Sequence, residues 1–263
     1  MEAYELTVAF VMSGIIGLCV GSFLNVVIYR LPRGMSLANP PSHCPSCNYR
    51  LRWYDNIPVL SWLLLRGRCR NCKTPVSFRY TAVEIINTIL WLMCCGIFWE
   101  QNRIFAIVAM LACSVLICVY YVDLEHKIIL DRFHIFLLAL GLVACGSGDG
   151  IDVWSRILGG VWGGTIFLLF FYGSIWILKR EGLGGGDVKL VAAAGFLLGW
   201  ERLFLAVLVA SLLGSAVLLS VNRINRDGRD TEYPFGPFLV VGILVALLFG
   251  TPLIGWYTGL LGG

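Results

Sequence analysis

Residues 104–123 read IFAIVAMLACSVLICVYYVD: nineteen residues without a charge, closed by the carboxylate of Asp123. A stretch of about 20 apolar residues is what an α-helix needs to cross a bilayer. Seven further runs of similar character flank it, so the full set is approximately Leu6–Ile28, Ala82–Trp99, Ile104–Val122, Phe133–Cys145, Val153–Leu178, Val188–Trp200, Leu203–Val221 and Phe235–Ile254. Glycines scattered inside these runs are tolerated in membrane helices. The fourth and sixth runs are short and border charged segments, so their helices are expected to begin inside the polar motifs. The first run carries no small-residue cleavage site and reads as a retained anchor.

Composition agrees. Of 263 residues, 58% are hydrophobic and 14% charged, with mean hydropathy +0.81. A soluble domain carries roughly 25% charge, so this chain cannot coat a water-exposed surface of its size. A small secreted disulfide scaffold and intrinsic disorder are excluded by the same numbers.

The cations are placed unevenly. Between Tyr29 and Thr81 stand Arg30, Arg33, Arg50, Arg52, Arg66, Arg68, Arg70, Lys73 and Arg79, against one acid, Asp55. By the positive-inside rule that segment faces the cytoplasm, with the N-terminus outside. Eight spans then put Lys127, Arg132, Lys179, Arg180, Lys189, Arg223, Arg226 and Arg229 on the same side. Seventeen of the twenty Lys and Arg are inside; Arg103, Arg156 and Arg202 are outside. The net charge of +4 therefore reports sidedness and does not point to nucleic acid.

The polar segment also holds Cys44-Pro-Ser-Cys47 and, 21 residues later, Cys69-Arg-Asn-Cys72. Two C-x-x-C pairs at this separation suit tetrahedral zinc with four thiolates. Two disulfides, or a redox pair, are the rival readings, which a reducing compartment and the doubled motif disfavour. A closed four-cysteine site has no open position, so its role is folding. His43 could serve only in place of a lost cysteine. The other six cysteines lie in apolar runs and read as small hydrophobic side chains. The resulting expectation is an all-α polytopic membrane protein of about eight transmembrane helices with a small cytoplasmic zinc-binding loop domain.

Ionisable residues at a span edge are functional candidates. Asp123 ends the third run, and Asp187 begins the sixth in Gly182-Leu-Gly184-Gly-Gly186-Asp187-Val-Lys189. The topology puts both at the cytoplasmic boundary. Two adjoining carboxylates can share a proton, one acting as base on a water and the other as acid toward carbonyl and amine. Glycines ahead of Asp187 would let a substrate backbone come close, with Gly184, Gly186 and Lys189 as the substrate-approach loop. Taken alone, the glycines could simply form a turn. Glu125, Asp131 and Glu181 are nearby acids; Glu125 would point elsewhere on a helix and Asp131 is expected to cap the fourth helix. His126 and His134 could tune a carboxylate. Glu84, just inside the second run, is a separate intramembrane candidate, pairable with Arg79.

These motifs together resemble the type IV prepilin peptidases, bifunctional leader peptidase/N-methyltransferases. The resemblance runs from Gly21-Ser-Phe-Leu-Asn25-Val-Val-Ile-Tyr-Arg30-Leu-Pro32 through both C-x-x-C pairs and Trp53-Tyr-Asp-Asn56-Ile-Pro58. It continues with Arg79-Tyr80, Glu84, Asp123-Leu-Glu125 and Gly184-Gly-Gly-Asp187-Val-Lys189, and closes at Pro234-Phe-Gly236-Pro-Phe238. It implies a bacterial inner-membrane enzyme with two activities. One removes the basic leader of type IV prepilins or type II secretion pseudopilins after a glycine, at the cytoplasmic face, with Asp123 and Asp187 as the catalytic pair. The other methylates the new N-terminal amine from S-adenosylmethionine and is associated with the N-terminal half. The implied divisions are an anchor over 1–28, a zinc-binding domain linked to methylation over 29–81, and a peptidase core over 82–263. One departure is visible: Ile129-Leu130-Asp131 stands where the family usually reads Leu-Pro-Asp. The rival readings are a transporter or scaffold with a zinc-ribbon docking loop, a presenilin-type protease, and a member that has lost methylation.

Overall fold

Helices account for about three quarters of the structure, a computed structural model that describes residues 2–179, 183–224 and 234–261. Arg180, Glu181, Gly182, Arg226, Arg229 and the side chain of Arg223, which entered the sidedness and competing-acid arguments, lie outside the described residues. The long helices are α1 (Glu2–Arg30), α3 (Phe78–Phe98), α4 (Arg103–His126), α6 (Val153–Leu178), α8 (Trp200–Ile224) and α9 (Gly236–Leu261). These six are long and apolar enough to cross a membrane. The fourth and sixth runs become α5 (Asp131–Cys145) and α7 (Gly185–Leu198). Both begin inside the polar motifs, as expected. At 15 and 14 residues they reach about 22 and 21 Å, short of the ~30 Å hydrocarbon thickness. A single-turn helix, α2 (Leu60–Leu64), lies in the polar segment.

The chain divides into two compact units, Met1–Glu100 and Gln101–Gly263. The second apolar run groups with the first unit.

In the first unit α1 packs on α3. Gly17 and Gly21 make this possible: a Cβ at Gly21 would stand 2.7 Å from the Glu84 Cα, and one at Gly17 would stand 3.3 Å from the Thr88 Cα. This is the small-xxx-small contact by which membrane helices approach without a hydrophobic driving force between them. Asn87, fully buried, ties the same interface by donating to the Gly17 carbonyl at 2.7 Å.

In the second unit the short helix α7 is enclosed. It packs against α5, α6, α8 and α9, and Leu190, Val191, Ala193, Ala194, Leu197 and Leu198 are buried. Glycines again set the distance: a Cβ at Gly159 of α6 would overlap the backbone of Gly195 and Gly199. The C-terminal end of α7 is held by Arg156, which is 0% exposed. Its guanidinium donates to the Leu197 carbonyl and pairs with Asp149 at 2.5 Å. A buried arginine is tolerable only when so paired. Anchored at one end and enclosed along its length, α7 presents its N-terminus, and with it Asp187, in a fixed place.

Candidate active site and cysteine cluster

Asp187 sits in the first turn of α7. Its backbone N–H donates to the Gly184 carbonyl at 3.0 Å, and its Oδ2 accepts from the Gly184 N–H at 3.2 Å. This reciprocal ring pins the carboxyl over the helix N-terminus, where a negative charge is favoured. Asp123 lies in the last turn of α4. That helix stops because Lys127 takes the left-handed conformation, φ 53°, and returns its N–H to the Asp123 carbonyl at 2.8 Å. Both carboxylates are buried, at 6% exposure each.

The structure brings them together around one residue, Gly236, the first of α9. A Cβ there would overlap Asp123 Oδ2 and stand 3.3 Å from Asp187 Oδ1. The two carboxyls therefore face one another beside Gly236, close enough to interact. Gly236 belongs to the Pro234-Phe-Gly-Pro-Phe238 motif, which carried the resemblance but no assigned role. Its absence of a side chain is what admits both acids, and only the motif itself could have flagged it.

The surrounding expectations divide. Glu125 is exposed while Asp123 is buried, so it does point elsewhere. Asp131 is not the helix cap. Leu130 occupies that position, φ −76°, ψ 137°, with no side-chain cap bond, and Asp131 is the first helical residue. Its carboxylate is engaged instead by Lys189 at 2.6 Å, with His134 Nδ1 at 3.6 Å. That lysine hydrogen bond holds the Asp131 carboxyl below its ordinary range. Lys189 thus ties the start of α7 to the start of α5. Gly186 is covered by Ile129, 3.0 Å from where a Cβ would be, whereas Gly184 and Gly185 are exposed. The Leu130 φ is one that proline adopts, so the departure from Leu-Pro-Asp leaves the helix start unchanged.

The cysteines form a second constellation, in the first unit. The two knuckles repeat one another twenty-five positions apart. Asn48 N–H donates to the Cys44 carbonyl at 2.9 Å, and Lys73 N–H to the Cys69 carbonyl at 3.1 Å. Cys44 N–H donates to Tyr49, and Cys69 N–H to Thr74, both at 2.9 Å. Asn48 and Lys73 each turn the chain with positive φ, 54° and 61°. Antiparallel bridges His43–Arg50 and Arg68–Pro75 close the two loops.

The four sulfurs lie within 4.8 Å of one another, with Cys44–Cys72 at 3.8 Å and Cys47–Cys69 at 4.0 Å. Zinc bonded tetrahedrally to thiolates at ~2.3 Å requires sulfurs about 3.8 Å apart, and all four are free thiols. The donor set therefore fits zinc. Hydrogen bonds with Thr74 pull the Cys72 thiol down to about 6, which favours the ligating thiolate. His43 faces the Pro41 carbonyl, outside the cluster. Asp55, the one acid of the segment, is buried and accepts from Arg70 Nε at 2.7 Å and from the Arg52 N–H at 3.3 Å. It ties the turn Trp53–Asn56 to the second knuckle.

Two family models match the chain. The bacterial peptidase A24 N-terminal domain matches residues 15–98 and the type IV leader peptidase family matches residues 110–219. Each match falls within one compact unit. The chain belongs to the type IV leader peptidase family. Among individual proteins, it is 34% identical to the prepilin leader peptidase/N-methyltransferase of Legionella pneumophila, over 95% of this chain and 94% of that one. Proteins of the same name from Burkholderia pseudomallei (strain 1026b) and Dickeya chrysanthemi are each 35% identical, covering 90% and 92% of this chain and 84% and 93% of theirs. No solved structure matches.

Proposed function

We infer that the chain removes the basic leader of type IV prepilins or pseudopilins and then methylates the new N-terminus. The observation that carries the first activity is the meeting of Asp123 and Asp187 across Gly236. In this reading one carboxylate takes a proton from a water between them as that water attacks the scissile carbonyl. The other gives a proton to the departing amine, and the two roles then exchange. Close, buried carboxyls cannot both ionise cheaply, so the pair holds one proton to begin the cycle. The exposed Gly184 and Gly185 leave room for a substrate backbone beside Asp187, while Lys189 braces the loop through Asp131.

With all eight apolar helices counted as crossings, the cations orient the chain in this reading: N-terminus outside, dyad and cysteine lobe at the cytoplasmic face of a bacterial inner membrane. A prepilin presents its leader there, next to its apolar helix, where opening a helix end exposes least backbone to lipid. Cys44, Cys47, Cys69 and Cys72 would hold zinc, which would fold a lobe too small for its own core. S-adenosylmethionine would supply the methyl group. The experiment is co-expression with a prepilin, followed by the mass of the pilin N-terminus. Leader loss together with one added methyl group supports both activities; a retained leader refutes the first.

A further inference from the structure

We propose that Glu84 and Asn25 form the seat of the amine that is methylated, binding a primary ammonium group at the N-terminus of the processed substrate. This rests on the methylation reading above and gives it a location. Asn25 stands one turn beyond Gly21 on α1, and Glu84 one turn beyond Tyr80 on α3. The contact of Gly21 with the Glu84 backbone and the bond from Asn25 to the Tyr80 carbonyl put both side chains on one stretch of a tightly packed helix pair, on adjacent turns.

Asn25 Nδ2 donates to the Tyr80 carbonyl at 3.0 Å and to the Gly21 carbonyl at 3.4 Å. Two carbonyl acceptors fix which end of the amide is the NH2. Its Oδ1 is left as an acceptor, buried and without a partner among the described residues. Glu84, 8% exposed, accepts the Val59 N–H at 2.7 Å and a hydrogen bond from the Ser22 hydroxyl. A carboxylate has about four acceptor positions, so capacity remains. Val59 is held at φ 61°, ψ −50°, a strained conformation for a β-branched residue, and its N–H is what the carboxylate fixes.

Both unused groups are acceptors, and one is anionic. Such a pair calls for a small cation with several N–H donors, and a primary ammonium is that group. In the transfer, the ammonium gives one proton to the Glu84 carboxylate. The freed nitrogen lone pair forms a bond to the methyl carbon of S-adenosylmethionine. The carbon–sulfur bond breaks with its electron pair on sulfur, leaving S-adenosylhomocysteine and a secondary ammonium. Glu84 then returns its proton to water.

The test uses the purified full-length protein, S-adenosylmethionine, and a synthetic peptide that begins with phenylalanine and continues as an apolar helix. Glu84→Gln keeps a carbonyl for the Val59 N–H but cannot take a proton. Methyl transfer should fall about 100-fold or more, and peptide binding without the methyl donor should weaken about tenfold. Leader removal from a prepilin and bound zinc should be unchanged. Asn25→Ser, which withdraws the α1 acceptor, carries the same expectation if Glu84→Gln fails to fold. Methyl transfer at the unaltered rate by either folded variant overturns the proposal. If the unaltered chain removes leaders but adds no methyl group, the methylation reading falls and this site with it.

Discussion

The cysteine lobe and the paired aspartates are built in opposite ways. In the lobe, Cys44 and Cys69 are positioned by bonds to residues within five places of them, and one hydrogen-bond pattern is used twice. In the second unit, the site is assembled from residues 123, 187 and 236 on three helices. Its geometry depends on packing: glycine contacts, an enclosed short helix and a buried arginine at that helix's far end. A site of the first kind would be coupled to the ion it binds; a site of the second kind is coupled to its neighbours.

That contrast can be broken by substitution. The largest effect should come from Cys44→Ser with Cys69→Ser, one ligand from each knuckle. Structural zinc contributes roughly 10–16 kcal/mol in small zinc domains, so the lobe should lose its metal and its protection from proteolysis. Zinc content and limited proteolysis measure this, and an intact, protease-resistant lobe would contradict the reading. Arg156→Met is the counterpart in the second unit. It removes the ion-pair partner of the buried Asp149 carboxylate, at an expected loss of about 3 kcal/mol, read as a lower unfolding temperature in detergent with zinc content unchanged.

Gly236→Ala should act more locally. Its methyl group would occupy the place that Asp123 Oδ2 now holds, so leader removal should fall by about 100-fold, while methylation of a pre-processed peptide continues. Equal loss of both activities would blur the distinction between the regions. The smallest effect belongs to Asp131→Asn, which removes an exposed ion pair with Lys189. The partner lowers the Asp131 pKa, so its stabilisation is complete above the ordinary carboxylate range and fades as pH falls through the lowered value. Variant and unaltered chain should therefore differ slightly in unfolding temperature at neutral pH and converge in strong acid.

The same contrast explains what could be read from the residues alone. Cys44, Cys47, Cys69 and Cys72 were legible because ligand spacing within a knuckle is a local property. Asp123 and Asp187 stood out because a carboxylate at the end of an apolar run is costly wherever it lies. Gly236 was not legible as a site residue: its role depends entirely on which side chains lie opposite. Nor did hydropathy distinguish the enclosed α7 from a lipid-facing span, since protein interior and lipid tails are equally apolar. Asp131 was misread as a cap because its partner, Lys189, is 58 positions away.

The account's central claim is that Asp123 and Asp187 act as one unit. It is tested most directly by leader removal from a prepilin by Asp123→Asn, Asp187→Asn and the double variant, each confirmed to insert and to retain zinc. Residues that work as a unit are non-additive. Each single variant should lose about as much as the double, ~10²–10⁴-fold. Near-normal cleavage by either single variant, or losses that multiply in the double, would contradict it.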